Sequence, residues 1–273
     1  MSFSKIPMRA LTIAGFDPSG GAGVLADVRT FAAFGLEAAA VITSITFQNR
    51  SNVFGAEHQS GEAVRAQVMP LLEDGGIVCS KTGMLPTREV VLKVARLFRE
   101  TDLPRPVVDP VILSSSGQRL MAETALATLI RELLPLAQLI TPNVPEAETL
   151  TGTRITSESD MRRAASLIRE QGARAVLIKG GHLGRPEAEG RRQEAVGSGQ
   201  WAEEDEAIDV LDNGGKVTVF RERWISGGEL HGSGCILSAA IAAGLGKGMR
   251  LEDSVSAAKR FVFDAINEAG NGS

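Results

Sequence analysis

Several short segments of this 273-residue chain carry residue types that could handle a phosphoryl group. The densest is His231-Gly232-Ser233-Gly234-Cys235, which runs straight into Ile236-Leu237-Ser238-Ala239-Ala240. Small residues leading into a run of Ala, Ile and Leu predict a helix N-terminus. Unpaired backbone N–H groups and the positive end of the helix dipole converge there, which suits an anion. Glycines would let the backbone itself approach that anion. The spacing is equally compatible with an ordinary glycine-rich loop ahead of a buried helix.

A second loop, Gly15-Phe16-Asp17-Pro18-Ser19-Gly20-Gly21-Ala22-Gly23, has no Gly-Lys-Ser/Thr ending and so is not a Walker A loop. A dinucleotide fingerprint also fails, because Ala26 stands where the third glycine would be. Three further segments each deliver one ionisable group: Asp109 in Val108-Asp109-Pro110, Glu146 in Thr141-Pro142-Asn143-Val144-Pro145-Glu146, and Lys179 in Ile178-Lys179-Gly180-Gly181-His182. Carboxylates of this kind can hold Mg2+ through its waters, and a lysine can balance nucleotide phosphates. Singly, each reads as well as a cap or a surface ion pair. Five such loops in one chain favour a shared ligand site.

The elements that must position these groups follow from hydrophobic periodicity. Short apolar runs over 10–14, 38–45, 77–81, 106–109, 137–141 and 175–179 predict buried strands. Helical spacing is found over 23–34, 60–72 (with Ser60 as N-cap), 88–99 and 251–269. Strands alternating with helices give an α/β fold with a mostly parallel sheet covered on both faces, and its functional residues belong just beyond the C-terminal strand ends. At 273 residues the chain could form one large α/β domain or two smaller ones, with frayed ends at 1–7 and 270–273. A polar stretch over 184–206 reads as an exposed or mobile excursion.

Hydrophobic residues at 43% and charged residues at 23% fit an ordinary globular core. A net charge of −4 argues against nucleic acid or an anionic membrane as partner, since a basic footprint is missing. No apolar run reaches the roughly 20 residues of a membrane span, and the first seven residues lack a signal-peptide core. Two cysteines and three histidines show no metal-ligand spacing. Cys79, in an apolar run, reads as core, and so low a cysteine count fits the reducing cytoplasm.

Taken in order, the loops are similar to those of the hydroxymethylpyrimidine/phosphomethylpyrimidine kinase branch of the ribokinase-like superfamily, over about residues 8–265. The pieces are Thr12-Ile13-Ala14-Gly15 with Asp17, Gly20-Gly21-Ala22-Gly23 and Asp27; Gln48-Asn49; Lys81-Thr82-Gly83-Met84; Val108-Asp109-Pro110-Val111; Thr141-Pro142-Asn143 with Glu146; Lys179-Gly180-Gly181-His182; and His231 to Cys235. The resemblance implies one ribokinase-like three-layer α/β/α domain over 1–273, usually a homodimer. It implies transfer of the ATP γ-phosphoryl group to 4-amino-5-hydroxymethyl-2-methylpyrimidine and then to its monophosphate, in thiamine biosynthesis.

By position, Gly15, Asp27, Gln48, Met84 and Val111 would then line the pyrimidine pocket. Asp109, Asn143, Glu146, Lys179 and Ser233 would serve the nucleotide, with Asp109 and Glu146 towards Mg2+ through water. Gly232, Ser233, Gly234 and Cys235 would form the anion hole, assisted by Lys179. Cys235 stands where sugar kinases of the superfamily carry an aspartate base. The chain departs from the family pattern at Glu229-Leu230, at Ser233 in place of the common threonine, and over 184–206. A pyridoxal or pyridoxine kinase is the nearest rival reading, and a non-catalytic pyrimidine or nucleotide sensor is the rival from another class.

Overall fold

The apolar residues of the central strands alternate between two cores, so the sheet must be covered on both faces. Leu11, Ile13, Val108, Ile140, Val176 and Ile178 pack into one cluster. Ala10, Val107, Leu139, Ala175 and Leu177 pack into the other. The computed structural model describes residues 7–49, 52–114, 117–181, 206–223 and 231–271.

Nine strands form one sheet among the described residues: β1 (Arg9–Phe16), β2 (Glu37–Gln48), β3 (Val53–His58), β4 (Ile77–Thr82), β5 (Val107–Val108), β6 (Leu139–Ile140), β7 (Ala175–Lys179), β8 (Glu206–Asn213) and β9 (Lys216–Arg223). Their order is β3-β2-β1-β4-β5-β6-β7-β8-β9. The strands from β2 to β7 in that order run parallel, while β3 at one edge and the β8–β9 hairpin at the other are antiparallel.

The helices are α1 (Gly23–Ala33), α2 (Gly61–Asp74), α3 (Arg88–Glu100), α4 (Glu123–Thr128), α5 (Val144–Thr151), α6 (Glu158–Glu170), α7 (Ser233–Gly246) and α8 (Leu251–Asn271). Helices α2 to α6 bury Val64, Val68, Val94, Ala125, Ala147 and Ile168 in the first core. Helices α1, α7 and α8 bury Phe31, Ile241 and Val255 in the second. This is the three-layer α/β/α arrangement expected from the alternation.

Local signals act where they were anticipated. Ser60 Oγ accepts the Ala63 N–H at 3.1 Å and caps α2. Cys79 is buried in the α7–α8 core, and burial pushes its thiol up to about 12. Other boundaries differ. Helix α8 runs to Asn271, and of the ends expected to fray, 1–6 and 272–273 lie outside the described residues. Most of the polar stretch over 184–206 lies outside the described residues, as do Glu229-Leu230 and His182; Glu206, however, opens β8. That hairpin was not foreseen, since Asp209 and Asp212 interrupt the apolar run of β8, and only their pairing with Lys259 and Arg169 lets them be buried there.

Candidate active site

The parallel strands end together, and the loops that leave them close around one cleft of about 1700 Å³. Gly15, Gln48, Met84 and Val111 line one part of it; Asp109, Asn143, Glu146 and Lys179 another; and Gly232, Ser233, Gly234 and Cys235 border both. Asp27 does not line it. Its carboxylate is fully buried between α1 and the sheet, where Lys81 Nζ donates to both oxygens at 2.9 Å and Thr12 Oγ1 donates at 2.6 Å. A carboxylate on the inner face of a helix needs such partners, because an unpaired buried charge is costly. Its expected place in the acceptor pocket is therefore taken by buried pairing. Burial pulls the Lys81 ammonium down, but Asp27 first, and then Cys235 and Asp109, outweigh it and hold the lysine charged.

Gly232 is the N-cap of α7 at φ 82°, a left-handed conformation suited to glycine. Ile236 N–H to Gly232 O, at 3.0 Å, closes the first helical turn. The Ser233, Gly234 and Cys235 N–H groups thus have no intrahelical acceptor and are the donors an anion would meet. The loop is seated on the one after β1: a Cβ at Gly232 would collide with the Gly21 carbonyl oxygen, and one at Gly21 with the His231 ring. His231 Nε2 also lies 3.1 Å from Asp17 Oδ2. Asp17 further accepts from Ser19 N–H at 2.8 Å and Ala22 N–H at 2.9 Å. Burial alone would push its carboxyl up, but the Gln48 side chain, Ser19 and Ala22 hold it below the usual range. Gln48, placed at the pyrimidine edge by the resemblance, therefore meets Asp17 in the same cleft.

Lys179 and Asp109 face each other at 3.3 Å (Nζ to Oδ1). Burial lowers the Lys179 ammonium, yet Asp109 and Glu146 more than compensate and raise it, so the cleft holds a fixed positive charge. Gly180 N–H donates to Asp209 Oδ1 at 3.0 Å, and Lys259 of α8 donates to Asp209 Oδ2 at 2.6 Å. This buried pair anchors the chain just after Lys179.

Asn143 and Glu146 form a capping box on α5: Asn143 Oδ1 accepts Glu146 N–H at 2.8 Å and Glu146 Oε2 accepts Asn143 N–H at 3.0 Å. Burial raises the Glu146 carboxyl; Lys179 opposes this and Asp109 adds to it. The Asn-x-x-Glu spacing in the sequence already carried this signature. Lys81 stood in the Lys81-Thr82-Gly83-Met84 segment, but nothing in the sequence marked its pairing with Asp27 or the His231–Asp17 contact.

No cluster of three or more His, Cys, Asp or Glu able to hold a metal is found among the described residues. A cation held chiefly by phosphates and water needs fewer ligands. Asp109 suits it, since its own contacts to Lys179, Thr141 and Ser238 are long, at 3.3 to 3.5 Å. Both Glu146 oxygens are already engaged by backbone N–H groups.

Cys235 is half-buried and forms no disulfide. Burial pushes its thiol up to about 11; Lys81 and the Gly23 amide pull it down, whereas Asp109 and Asp27 push it further up. The thiol is thus protonated at neutral pH. Alkylation of Cys235 by a neutral haloacetamide is expected to accelerate about tenfold per unit from about pH 7 to about pH 10, because only the thiolate reacts. Mass spectrometry of the Cys235 peptide reads this directly; a plateau below about pH 9 would mean that the helix dipole stabilises the thiolate after all.

A family model described as phosphomethylpyrimidine kinase matches residues 17–272. The hydroxymethylpyrimidine/phosphomethylpyrimidine kinase of Streptomyces coelicolor is 40% identical over 260 residues, spanning 95% of this chain and 89% of that protein. The crystal structure of phosphomethylpyrimidine kinase from Clostridium difficile 630 superposes with a TM-score of 0.78 at 35% identity, covering 95% of this chain and 99% of that one. The pyridoxal kinase of Staphylococcus aureus in complex with AMP-PCP and pyridoxal gives a TM-score of 0.81 at 28% identity, covering 96% and 88%.

Proposed function

The chain belongs to the phosphomethylpyrimidine kinase family, and on that premise we propose that it transfers the γ-phosphoryl group of ATP to 4-amino-5-hydroxymethyl-2-methylpyrimidine and then to the resulting monophosphate. The observation that carries this reading is the placing of the α7 N-terminus, Lys179 and Asp109 in the same cleft as Gly15, Gln48, Met84 and Val111.

Phosphoryl transfer asks mainly for alignment and for charge stabilisation on the moving group. The Ser233, Gly234 and Cys235 amides receive the equatorial oxygens, and the Lys179 ammonium neutralises charge beside them. Gln48 offers a donor and an acceptor to the aminopyrimidine edge, while Met84 and Val111 pack on the flat ring. Cys235, protonated at rest, orients the attacking hydroxyl, whose proton passes to an oxygen of the transferred phosphoryl group as the new O–P bond forms and the bond to ADP breaks. Asp109 would hold Mg2+ through water, with Glu146 behind it, and the ion would neutralise phosphate charge. Asn143 fixes the α5 end of the nucleotide side.

The whole chain acts as one catalytic domain, a reading supported by the single continuous sheet. It works as a cytoplasmic homodimer. Ile45 and Phe47 of β2 and Phe54 of β3, the last 71% exposed, supply an apolar patch for the second copy. Two free cysteines suit a reducing compartment. A net charge of −4 supports a small-molecule role rather than binding to nucleic acid or an anionic membrane.

The test is a product assay with Mg-ATP and either the pyrimidine or pyridoxal, read by mass spectrometry. Mono- and then diphosphorylated pyrimidine is the expected result. Phosphorylated pyridoxal alone would keep the phosphate site and reassign the acceptor. No product from either would leave a binding protein.

A further inference from the structure

Val111 has φ 37°, alone among the described non-glycine residues in being positive. A β-branched residue does not rest there unless its neighbours enforce it. The enforcing contact comes from across the cleft. Glu146 Oε1 accepts the Ile112 N–H at 3.1 Å, while Oε2 accepts the Asn143 N–H at 3.0 Å. A capping box needs only the second of these bonds; the first reaches a residue 34 positions earlier in the chain. Ile112 is itself buried, and its carbonyl accepts the Leu120 N–H at 2.9 Å. One carboxylate therefore staples the peptide after Val111 to the N-terminus of α5. Val111, Leu113 and Leu120 stand on one side of that staple and Asn143 and Lys179 on the other, all lining the same cleft.

We propose that Glu146 is a positioning residue for the acceptor pocket: through the Ile112 amide it holds Val111 in its left-handed conformation and so shapes the surface that receives the ring. This rests on the acceptor reading given above and assigns Glu146 a role separate from any service to phosphate or cation. A glutamate acting only through Mg2+ or nucleotide would leave binary acceptor binding untouched. A staple would not.

The experiment is calorimetric titration of hydroxymethylpyrimidine, without nucleotide or Mg2+, into the wild type, E146Q, V111G and E146Q/V111G. The E146Q side chain keeps the volume but loses one acceptor, and its Kd is expected to rise about tenfold. Glycine adopts positive φ without help, so in the V111G background the same substitution should change Kd by less than about threefold. An unchanged Kd for E146Q, or an equal loss in both backgrounds, would overturn the inference. Hydrogen exchange at the Ile112 amide reads the staple without any ligand and should quicken at least about tenfold in E146Q. If the wild type fails to bind the pyrimidine, the acceptor reading falls, and Ile112 exchange decides the staple by itself: unchanged protection rejects it.

Discussion

Replacing Gly232 with valine is expected to lower kcat/KM by about a thousandfold or more while leaving the sheet intact. At φ 82° a β-branched residue is strained, and its Cβ would collide with the Gly21 carbonyl oxygen. Relief requires the start of α7 to move off the loop over 15–23. That movement carries the Ser233, Gly234 and Cys235 amides away together. Losing one such donor costs about 10²–10³ in kcat, so three displaced at once should sit at or beyond the upper end. Steady-state kinetics beside far-UV circular dichroism and a thermal melt provide the check. Near-normal kcat/KM in the folded variant would remove the α7 N-terminus from the chemistry. If the variant does not fold, Gly234→Ala gives a milder test without backbone strain. Its Cβ would lie 3.0 Å from Lys179 Nζ and 3.8 Å from Asp109 Oδ2, enough to shift the lysine.

Lys81→Met should destabilise the protein by about 3–5 kcal/mol, the usual cost of removing one partner from a buried ion pair. Lys81 and Asp27 both have fully buried side chains, and after the substitution Asp27 keeps only the Thr12 hydroxyl. Burial already holds the Asp27 carboxyl above its ordinary value against the pull of Lys81, and without that ammonium it rises further and takes up a proton. The folded protein then binds more protons than the unfolded chain. Stability relative to wild type must therefore increase as the pH falls from about 8 to about 5 and be lost again on the alkaline side. Thermal melts of both proteins across that range test the sign as well as the size. A pH-independent difference would mean that Asp27 finds another cation. A change under about 1 kcal/mol would show the pair to be nearly balanced by its own desolvation.

The sequence by itself determined the layered α/β fold and the loops that bear the cleft. Alternating apolar pairs such as Val107-Val108 and Leu139-Ile140 can be satisfied only by a sheet buried on both sides. Glycines and single ionisable groups beyond strand ends are punctuation that hydrophobic periodicity makes visible. The capping box at Asn143 and Glu146 was legible as well, because both partners lie within one helical turn.

What the sequence left open depends on contacts between distant segments. The pairing of Asp27 with Lys81 spans 54 positions, and that of His231 with Asp17 spans 214. No local pattern encodes such separations. Asp27 carries the same letter whether it faces a ring or an ammonium; only packing α1 onto the sheet decides that it is buried. Val111 likewise reads as an ordinary strand-end residue, and nothing local announces its positive φ or the bond that Glu146 brings from α5 to the next amide. Periodicity specifies which face of an element is buried. Which charged groups then meet, and with what pKa, is set by tertiary packing, since Coulomb and desolvation energies depend on distance and burial in space rather than on spacing along the chain.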